Sequence, residues 1–379
     1  MQSKKKVVIL GSAYPLRGGL SNFNERLAEE FLVDGWETSI YTFSLQYPSF
    51  LYPGKSQYST ETYDGNVDIR VAINSINPFN WIKVGLELKK LKPDLLIIKF
   101  WIPFMAPCFG TISRIVKKNK RTKVITIIDN IIPHEKRPGD KILAKYFVNG
   151  IDGFVTMSRK VLSEVDLFDK KKPRIFSPHP IYDNFGVILD KRSAIQQLNL
   201  DESFRYILFF GFIRDYKGLD ILLNAMAENG IRDKKIKLIV AGEFYTDSKP
   251  YFDILKEKGI EDLVIMSNDF IPDSEVNKYF SACDLVVQPY KSATQSGVTQ
   301  IAYHFNKPMI ITNVGGLSEF VPDGEVGFVV ELHSKVVAEA ILLFYNGKYE
   351  KVFIENIITL KEKFSWKYFL RNLKSLFEL

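Results

Sequence analysis

The sequence predicts an α/β protein made of two consecutive domains, each built on a parallel β-sheet. Its 379 residues are too many for one ordinary hydrophobic core. Short β-branched runs alternate with amphipathic stretches of about 10 to 15 residues, which is the pattern of a parallel sheet flanked by helices. Two such series occur, and the segment 181–200 between them lacks strand periodicity.

Each series predicts its own set of strands. The first comprises Lys6–Leu10, Thr38–Thr42, Val67–Val71, Leu95–Lys99, Lys123–Ile128, Gly153–Met157 and Arg174–Ser177. The second comprises Tyr206–Gly211, Lys237–Ala241, Leu263–Met266, Asp284–Gln288, Met309–Asn313 and Gly327–Val330. Helical periodicity is clearest in Asn22–Leu32, Trp81–Leu91 and Ser158–Leu167.

These elements predict the domain organisation. We expect a first domain over 1–180, a linker over 181–200 and a second domain over 201–350. Apolar residues in 351–379 are spaced to bury a helix face, so we expect these C-terminal helices to cross back to the first domain. Ligands bind beyond the carboxyl ends of open parallel sheets, so the predicted site is a cleft between the two sets of strand ends.

Composition narrows the class of protein. It is 46% hydrophobic and 25% charged, which is ordinary for a soluble enzyme, and Cys108 and Cys283 are too few for a disulfide framework. No apolar run approaches the roughly 18 residues of a membrane span, and the apolar stretch behind the basic N-terminus is too short for a secretory signal. These features predict a cytoplasmic protein.

The positive charge is concentrated in the first half. Residues 1–180 hold 28 Lys+Arg and 17 Asp+Glu, a net of +11, which leaves −4 for the rest of a chain whose total is +7. No nucleic-acid recognition motif accompanies this charge, so an anionic membrane or a phosphorylated acceptor is the favoured partner. Solvated lysine-rich helix faces are the alternative.

One basic segment follows the apolar stretch WIPFMAPCFG and could dock the chain on the inner face of an anionic membrane. The alternative is a helix that packs on the sheet and leaves its basic end in solvent. The residues concerned are Arg114, Lys117, Lys118, Lys120, Arg121 and Lys123.

The loop GSAYPLRGG joins the first strand to the first helix. Its last glycines, Gly18 and Gly19, would let backbone amides at a helix start approach an anionic ligand closely. The spacing differs from the dinucleotide fingerprint G-x-G-x-x-G. A tight turn that needs positive φ is the alternative.

A stronger phosphate signal follows the strand YILFFGFI. Arg214 and Lys217 stand three residues apart, ahead of Gly218 and an apolar-periodic helix. An arginine fork and a lysine point charge could together clamp two phosphates. A solvated pair of basic loop residues is the alternative.

The third signal lies in PYKSATQSGVTQIAYHF and the segment after it. Ser296, Gly297 and Val298 would offer backbone N–H groups at a helix start, where a diphosphate binds well. Glu319 follows the turn Gly315–Gly316 and could accept hydrogen bonds from ribose or sugar hydroxyls, or cap the next helix.

The sequence suggests neither a metal nor a cofactor. No D-x-D motif occurs, and the four histidines lack metal-ligand spacing. Cationic side chains and a helix N-terminus would then neutralise a leaving diphosphate instead.

Taken in order, these motifs resemble the retaining glycosyltransferases of family four. The resemblance rests on the N-terminal loop, the R-x-x-K-G turn, the Ala241–Glu243 strand end, D-L-V-V-Q-P and K-P-M-I-I-T-N-V-G-G-L-S-E. It implies the GT-B fold, a nucleotide-diphospho-sugar donor held by the C-terminal domain, and retention of anomeric configuration. It places Gly18 and Gly19 against the donor diphosphate and makes Arg214 and Lys217 the leaving-group clamp.

Two departures from the family pattern stand out. The usual pair of glutamates falls on Ala293 and Ile301, so both are missing, and Thr299 or Gln300 could act as a neutral substitute. The segment IIDNIIPHEKRPGD resembles the catalytic loop, but Asp129 and Asn130 replace a His-Asp pair.

His134 and Glu135 lie close behind Asp129 and could supply what the missing pair supplies in the family. We therefore expect a transferase acting on a hydroxyl acceptor, such as a cell-surface glycan, a lipopolysaccharide or a lipid-linked precursor. The missing glutamates keep open a catalytically silent subunit that binds a sugar nucleotide or supports a partner enzyme. An epimerase on the same fold is the third alternative.

Overall fold

The computed structural model describes residues 4–48, 56–133, 137–293 and 296–376. The chain divides into two compact units. The first comprises residues 1–180 and 364–379, and the second comprises 181–363. Each unit is an α/β layer structure, so the predicted pair of Rossmann-like parallel sheets is confirmed.

The first unit contains a seven-stranded parallel sheet in the order β3-β2-β1-β4-β5-β6-β7. Its strands are β1 (Lys6–Leu10), β2 (Glu37–Leu45), β3 (Asp68–Asn74), β4 (Leu95–Phe100), β5 (Lys123–Ile128), β6 (Gly153–Thr156) and β7 (Arg174–Phe176). Its helices are α1 (Gly19–Val33), α2 (Pro78–Leu91), α3 (Ala106–Lys117), α4 (Asp140–Asn149), α5 (Arg159–Val165) and the last helix of the chain, α13 (Trp366–Ser375).

The second unit contains a six-stranded parallel sheet in the order β10-β9-β8-β11-β12-β13. Its strands are β8 (Arg205–Phe210), β9 (Ile236–Ala241), β10 (Val264–Ser267), β11 (Leu285–Gln288), β12 (Met309–Thr312) and β13 (Gly327–Val330). Its helices are α6 (Lys191–Gln197), α7 (Leu219–Met226), α8 (Lys249–Lys258), α9 (Val276–Ala282), α10 (Gly297–His304), α11 (Ser334–Asn346) and α12 (Tyr349–Leu360).

Central strands are apolar over their whole length because helices cover both sheet faces. All six residues of β4 and all four of β11 are buried. In each sheet the strand order reverses beside the first strand, between β1 and β4 in the first unit and between β8 and β11 in the second. Ligands of open α/β sheets bind at the carboxyl ends of the strands at such a switch point.

Residues 181–200, expected to be a linker, pack into the second unit. Within this segment α6 packs against α9, and the Leu189 N–H donates to Ser281 Oγ at 3.0 Å. The segment contains no strand, so the strand pattern of the sequence assigned it to neither domain.

The two C-terminal helices, α12 and α13, pack in different units. In α12, Phe353 packs on Phe328 and Phe344 of the second unit. In α13, Trp366 and Phe369 pack on Phe23 of α1. The return to the first unit therefore begins at residue 364 and not at 351, because the apolar face of α12 is used within the second unit.

Within the ranges that the structure describes, no helix combines the length and the apolar character needed to cross a bilayer.

Candidate functional site

Beside the switch point of the second sheet, the backbone approaches itself closely at the carboxyl ends of β8 and β9. Gly211 follows β8 with φ +92°, and Gly242 follows β9 with φ +152°. A Cβ on Gly242 would stand 2.3 Å from the Gly211 carbonyl oxygen, so glycine is required there. These strand ends therefore carry no side chains at the point where β8 meets the following loop.

Lys217 occupies this glycine-lined space. It ends the 3₁₀ turn Asp215–Lys217 and is only 9% exposed. Its Nζ lies 3.0 Å from the position that a Cβ on Gly211 would take, and Val298 Cγ2 lies 3.7 Å from the same point. The Lys217 ammonium is thus beside the first turn of α10.

No acidic side chain in the described part of the chain pairs with Lys217. The nearby Asp215 and Asp220 both pair with Lys291, at 2.8 and 3.1 Å. Burial, and then the positive charge of Arg214, lowers the pKa of Lys217 to about 7. A buried cation with no local counter-charge is costly unless an anion joins it.

Arg214 is half-buried next to this lysine. Its guanidinium carbon lies 5.1 Å from the centre of the Tyr245 ring, a cation–π distance. Within the described ranges no carboxylate pairs with Arg214. The predicted pair of basic residues is therefore brought together at one edge of the sheet.

The start of α10 faces the same region and is held by a residue that the sequence analysis missed. Ser296 is the N-cap residue, but its hydroxyl donates to Gln288 Oε1 at 2.6 Å and does not cap the helix. The Thr299 hydroxyl also bonds Gln288, at 3.2–3.3 Å. Gln288 ends the apolar strand β11, and this polar residue in the run LVVQ is the signal that could have revealed it.

Because the Ser296 hydroxyl bonds Gln288, it accepts no hydrogen bond from the first N–H groups of α10, at Gly297 and Val298. Its side chain therefore does not prevent these groups from donating to another acceptor. Thr299 and Gln300 are both fully buried. Gln300 Oε1 has no hydrogen-bond partner in the described structure. A contact between a donor and either residue stays a prediction.

Glu319 lies in the 3₁₀ helix Leu317–Phe320, and its side chain is exposed. The preceding turn is tight, since a Cβ on Gly315 would stand 1.6 Å from the Ala293 carbonyl oxygen. The 3₁₀ helix follows Gly316 and has no side-chain cap, so Glu319 does not cap it. A role for Glu319 in hydroxyl binding stays a prediction.

In the first unit, α1 begins at Gly19 after Gly18, whose φ is +102°. No side chain caps this helix start, and the Ser21 hydroxyl is buried there without a partner in the described residues. The glycines are thus placed as predicted, at the carboxyl end of the first sheet. His134 and Glu135 lie outside the described residues.

Asp129 follows β5 and is bound to a lysine that the sequence analysis did not consider. Lys99 Nζ lies 2.8 Å from Asp129 Oδ1, and both side chains are buried. Lys99 also lies over the Phe23 ring, 3.6 Å from its centre. Burial lowers the pKa of Lys99, and Asp129 opposes that shift. The signal in the sequence was one charge inside the apolar strand LLIIKF.

His179 completes this buried cluster. Its ring lies 5.3 Å from that of Phe23, and Nδ1 contacts the Pro180 carbonyl at 2.7 Å. Burial, then the charge of Lys99, lowers the pKa of His179 to about 3, so the imidazole is neutral at physiological pH. The cluster is suited to holding the loop after β5 in place.

Half of the basic segment expected to meet a membrane is engaged within the protein. Arg114 donates to the Gly110 and Tyr146 carbonyls and lies over the Tyr146 ring. Lys117 pairs with Asp152, and Arg121 pairs with Asp94. Lys118, Lys120 and Lys123 are exposed, and Arg121 is also exposed although it is paired. Over the described residues, no group of three potential metal ligands occurs.

Comparison with known proteins shows which family model and which relatives the chain resembles. Residues 190–359 match the family model described as "Glycosyl transferases group 1". A D-inositol 3-phosphate glycosyltransferase of Corynebacterium aurimucosum is 29% identical over 37% of this chain and 34% of its own length. A lipopolysaccharide 1,2-N-acetylglucosaminetransferase of Salmonella typhimurium is 31% identical over 35% of this chain and 36% of its own. The chain spans about a third to a half of the length of the curated relatives it matches first.

Solved structures match over nearly the whole chain. Anabaena HepE, in complex with UDP-glucose, superposes with a TM-score of 0.74 at 15% identity, covering 99% of this chain and 100% of that one. Sucrose-phosphate synthase from Thermosynechococcus elongatus gives 0.74 at 15% identity, with 99% and 98% covered. At this identity the likeness concerns the fold. The chain thus has the GT-B fold, and over residues 190–359 it is similar to the glycosyl transferases group 1 family.

Proposed function

We propose that the protein is a glycosyltransferase that moves a sugar from a nucleotide-diphospho-sugar to a hydroxyl acceptor, with retention of anomeric configuration. The second unit would hold the donor, with its diphosphate at Lys217, Arg214 and the start of α10. The match of residues 190–359 to the family model and the relatives' names support transfer as the reaction class. The UDP-glucose complex of HepE supports a sugar nucleotide as donor.

One observation carries the proposal. Lys217 is buried, next to a second cation, and no acidic side chain in the described ranges pairs with it. The side chain of the α10 N-cap residue bonds Gln288 and leaves the amides of the first turn available. A diphosphate would supply the missing negative charge to all of these groups at once.

The same groups would accelerate the reaction. As the bond between the anomeric carbon and the phosphate oxygen breaks, negative charge grows on the leaving nucleoside diphosphate. Fixed cations and amides lower the energy of that state more than the energy of the bound donor. The acceptor oxygen would bond to the anomeric carbon on the face that the leaving group departs from. A donor phosphate oxygen would take the hydroxyl proton.

For the acceptor we propose only a chemical class. A lipopolysaccharide acceptor agrees with the name of the Salmonella relative. Another cell-surface glycan or a lipid-linked precursor is the alternative. No metal is required in this proposal, since Lys217 and Arg214 supply the positive charge that a metal would otherwise supply.

A panel of nucleotide sugars, incubated with and without candidate acceptors, tests the proposal. We expect acceptor-dependent release of one nucleoside diphosphate and a product whose anomeric configuration, measured by NMR coupling constants, matches the donor. Binding of a sugar nucleotide without release would instead favour the catalytically silent subunit. Conversion of the donor sugar without any acceptor would favour the epimerase.

A further inference from the structure

The helix α2 of the first unit carries an apolar stripe on its solvent side. Phe79 is 84% exposed, Leu86 is 53% exposed and Ile82 is 45% exposed. The opposite side of the helix already packs into the core through Val84 and Leu88. A surface helix normally presents polar residues to solvent, so an exposed apolar stripe is unusual. Because these side chains are exposed, no described part of the chain covers them.

Lysines are interleaved with the stripe. Lys83 and Lys90 lie four and eleven residues after Phe79, so they project from the same side of the helix. Both lysines are exposed. Apolar and basic side chains thus share one line along α2.

The helices α2 and α4 pack on either side of α3 and form one layer with it. A Cβ on Gly85 of α2 would stand 3.0 Å from Ile115 of α3, and one on Gly110 of α3 would stand 2.6 Å from Tyr146 of α4. On its outer side α4 exposes Ile142 to 75%. The exposed Lys141 and Lys145 accompany it.

The charge of this layer is one-sided. The two outer helices, α2 and α4, contain five lysines but only two acidic residues, Glu87 and Asp140. One of the five, Lys145, also donates to the Phe168 carbonyl. Glu87 also accepts a hydrogen bond from the Tyr41 hydroxyl at 2.6 Å. The surface therefore combines large exposed apolar side chains with positive charge.

We propose that this surface, Phe79, Ile82 and Leu86 of α2 with Ile142 of α4, binds an anionic lipid bilayer. The apolar side chains would enter the boundary between headgroups and acyl chains, and the lysines would face anionic headgroups. A second copy of the chain fits this surface less well, because facing copies would bring the lysines of two stripes together. This α2–α4 surface differs from the segment Arg114–Lys123, in which half the basic residues are engaged internally.

Vesicle flotation of the full chain tests the assignment without donor or acceptor, so its outcome is independent of the proposed reaction. We expect binding to vesicles of 70% phosphatidylcholine and 30% phosphatidylglycerol, and much weaker binding to pure phosphatidylcholine. The double variant Phe79→Ser/Leu86→Ser should lose at least about tenfold in partition coefficient. Replacing Lys83 and Lys90 by Gln should lose roughly 20-fold, and that loss should shrink at high salt.

A matched control removes two exposed apolar side chains elsewhere in the same unit. Val33 and Leu167 are 82% and 72% exposed, and Val33→Ser/Leu167→Ser should bind vesicles as the wild type does. Circular dichroism checks that each variant is folded. Equal binding by the wild type and Phe79→Ser/Leu86→Ser, or no binding to anionic vesicles, would overturn the proposal. A dimer that dissociates in that variant would also overturn it and assign the surface to self-association.

Discussion

Two buried lysines at the carboxyl ends of the two sheets differ in one respect, the presence of an acidic partner. Lys99 lies in β4 of the first unit and pairs with Asp129 at 2.8 Å. Lys217 follows β8 of the second unit, and no described acidic side chain pairs with it. Both strands border the switch point of their sheet.

The difference shows how similar folds can use the same residue type for different purposes. In the first unit the positive charge is neutralised by the protein, so Lys99 fixes the loop that carries Asp129. In the second unit the protein leaves the charge uncompensated, and the acidic groups in the adjacent turn are held by Lys291. Lys99 thus contributes to structure, whereas the charge of Lys217 has no protein partner in the described residues and is available to the anionic ligand that we propose.

The largest effect, a loss of stability, is expected when the paired lysine is replaced. Lys99→Met leaves the Asp129 carboxylate buried without its partner, which should lower the free energy of unfolding by about 3–5 kcal/mol. Urea denaturation at pH 7 measures this change. The double variant Lys99→Met/Asp129→Asn should recover most of the loss, because no uncompensated charge remains.

An unfolding free energy of Lys99→Met within about 1 kcal/mol of the wild type would contradict the pairing role. Equal instability of the single and double variants would show that the contact of the Lys99 ammonium with the Phe23 ring, and not the ion pair, matters.

The unpaired lysine should show the opposite behaviour. Lys217→Met should lower turnover by about 100-fold, which is typical when one group that stabilises a developing oxyanion is removed. Its free energy of unfolding should stay the same or rise, since an uncompensated buried charge is removed. Turnover and urea denaturation of the same preparation measure both. Lys256→Met, at an exposed lysine of the same unit, is the control and should change neither.

Near-normal transfer by Lys217→Met would remove this residue from the proposed reaction. A large loss of stability would instead show that Lys217 has a structural role like that of Lys99.

The sequence predicted much of the fold because parallel sheets covered on both faces leave a strong local pattern. β4 and β5 were predicted to within a residue at each end. Helix α2 begins at Pro78, earlier than predicted, because Asn77 accepts from the Phe79 and Asn80 amides and caps it. Packing between elements that are distant in sequence was harder to predict. The apolar face of α12 packs within the second unit, and the spacing of its apolar residues does not say against which unit the helix packs.

The same limit applies to the site. The predicted Arg214, Lys217 and Ser296 stand in short local motifs, and the structure brings the two basic residues and the first turn of α10 to one edge of the sheet. Gln288 and Lys99 were missed because their importance depends on partners distant in sequence. A polar residue inside an apolar strand was the available signal.

A smaller effect is expected from Gln288, which holds the start of α10 at the proposed anion site. Gln288→Leu removes the partner of both Ser296 and Thr299, so the start of α10 should lose its fixed position. We expect nucleoside diphosphate binding to weaken by about tenfold, with about 1–3 kcal/mol lost from the free energy of unfolding. Isothermal titration calorimetry measures the first. Ser296→Ala, which removes one of the two bonds, should give a smaller loss, and unchanged binding in both variants would contradict this support.

The smallest expected effect is a pH dependence that only the unpaired lysine can give. The pKa of Lys217 is lowered to about 7 in the free protein, so at pH 8 the amine is mostly neutral. A bound diphosphate favours the ammonium and raises that pKa, so binding takes up a proton. Affinity should be highest below pH 7 on account of this group and should fall about fivefold between pH 7 and 8. Titrations in buffers of different ionisation enthalpy measure the proton uptake directly. In Lys217→Met the affinity should be lower but nearly independent of pH over this range, whereas an unchanged pH profile would assign the proton to another group.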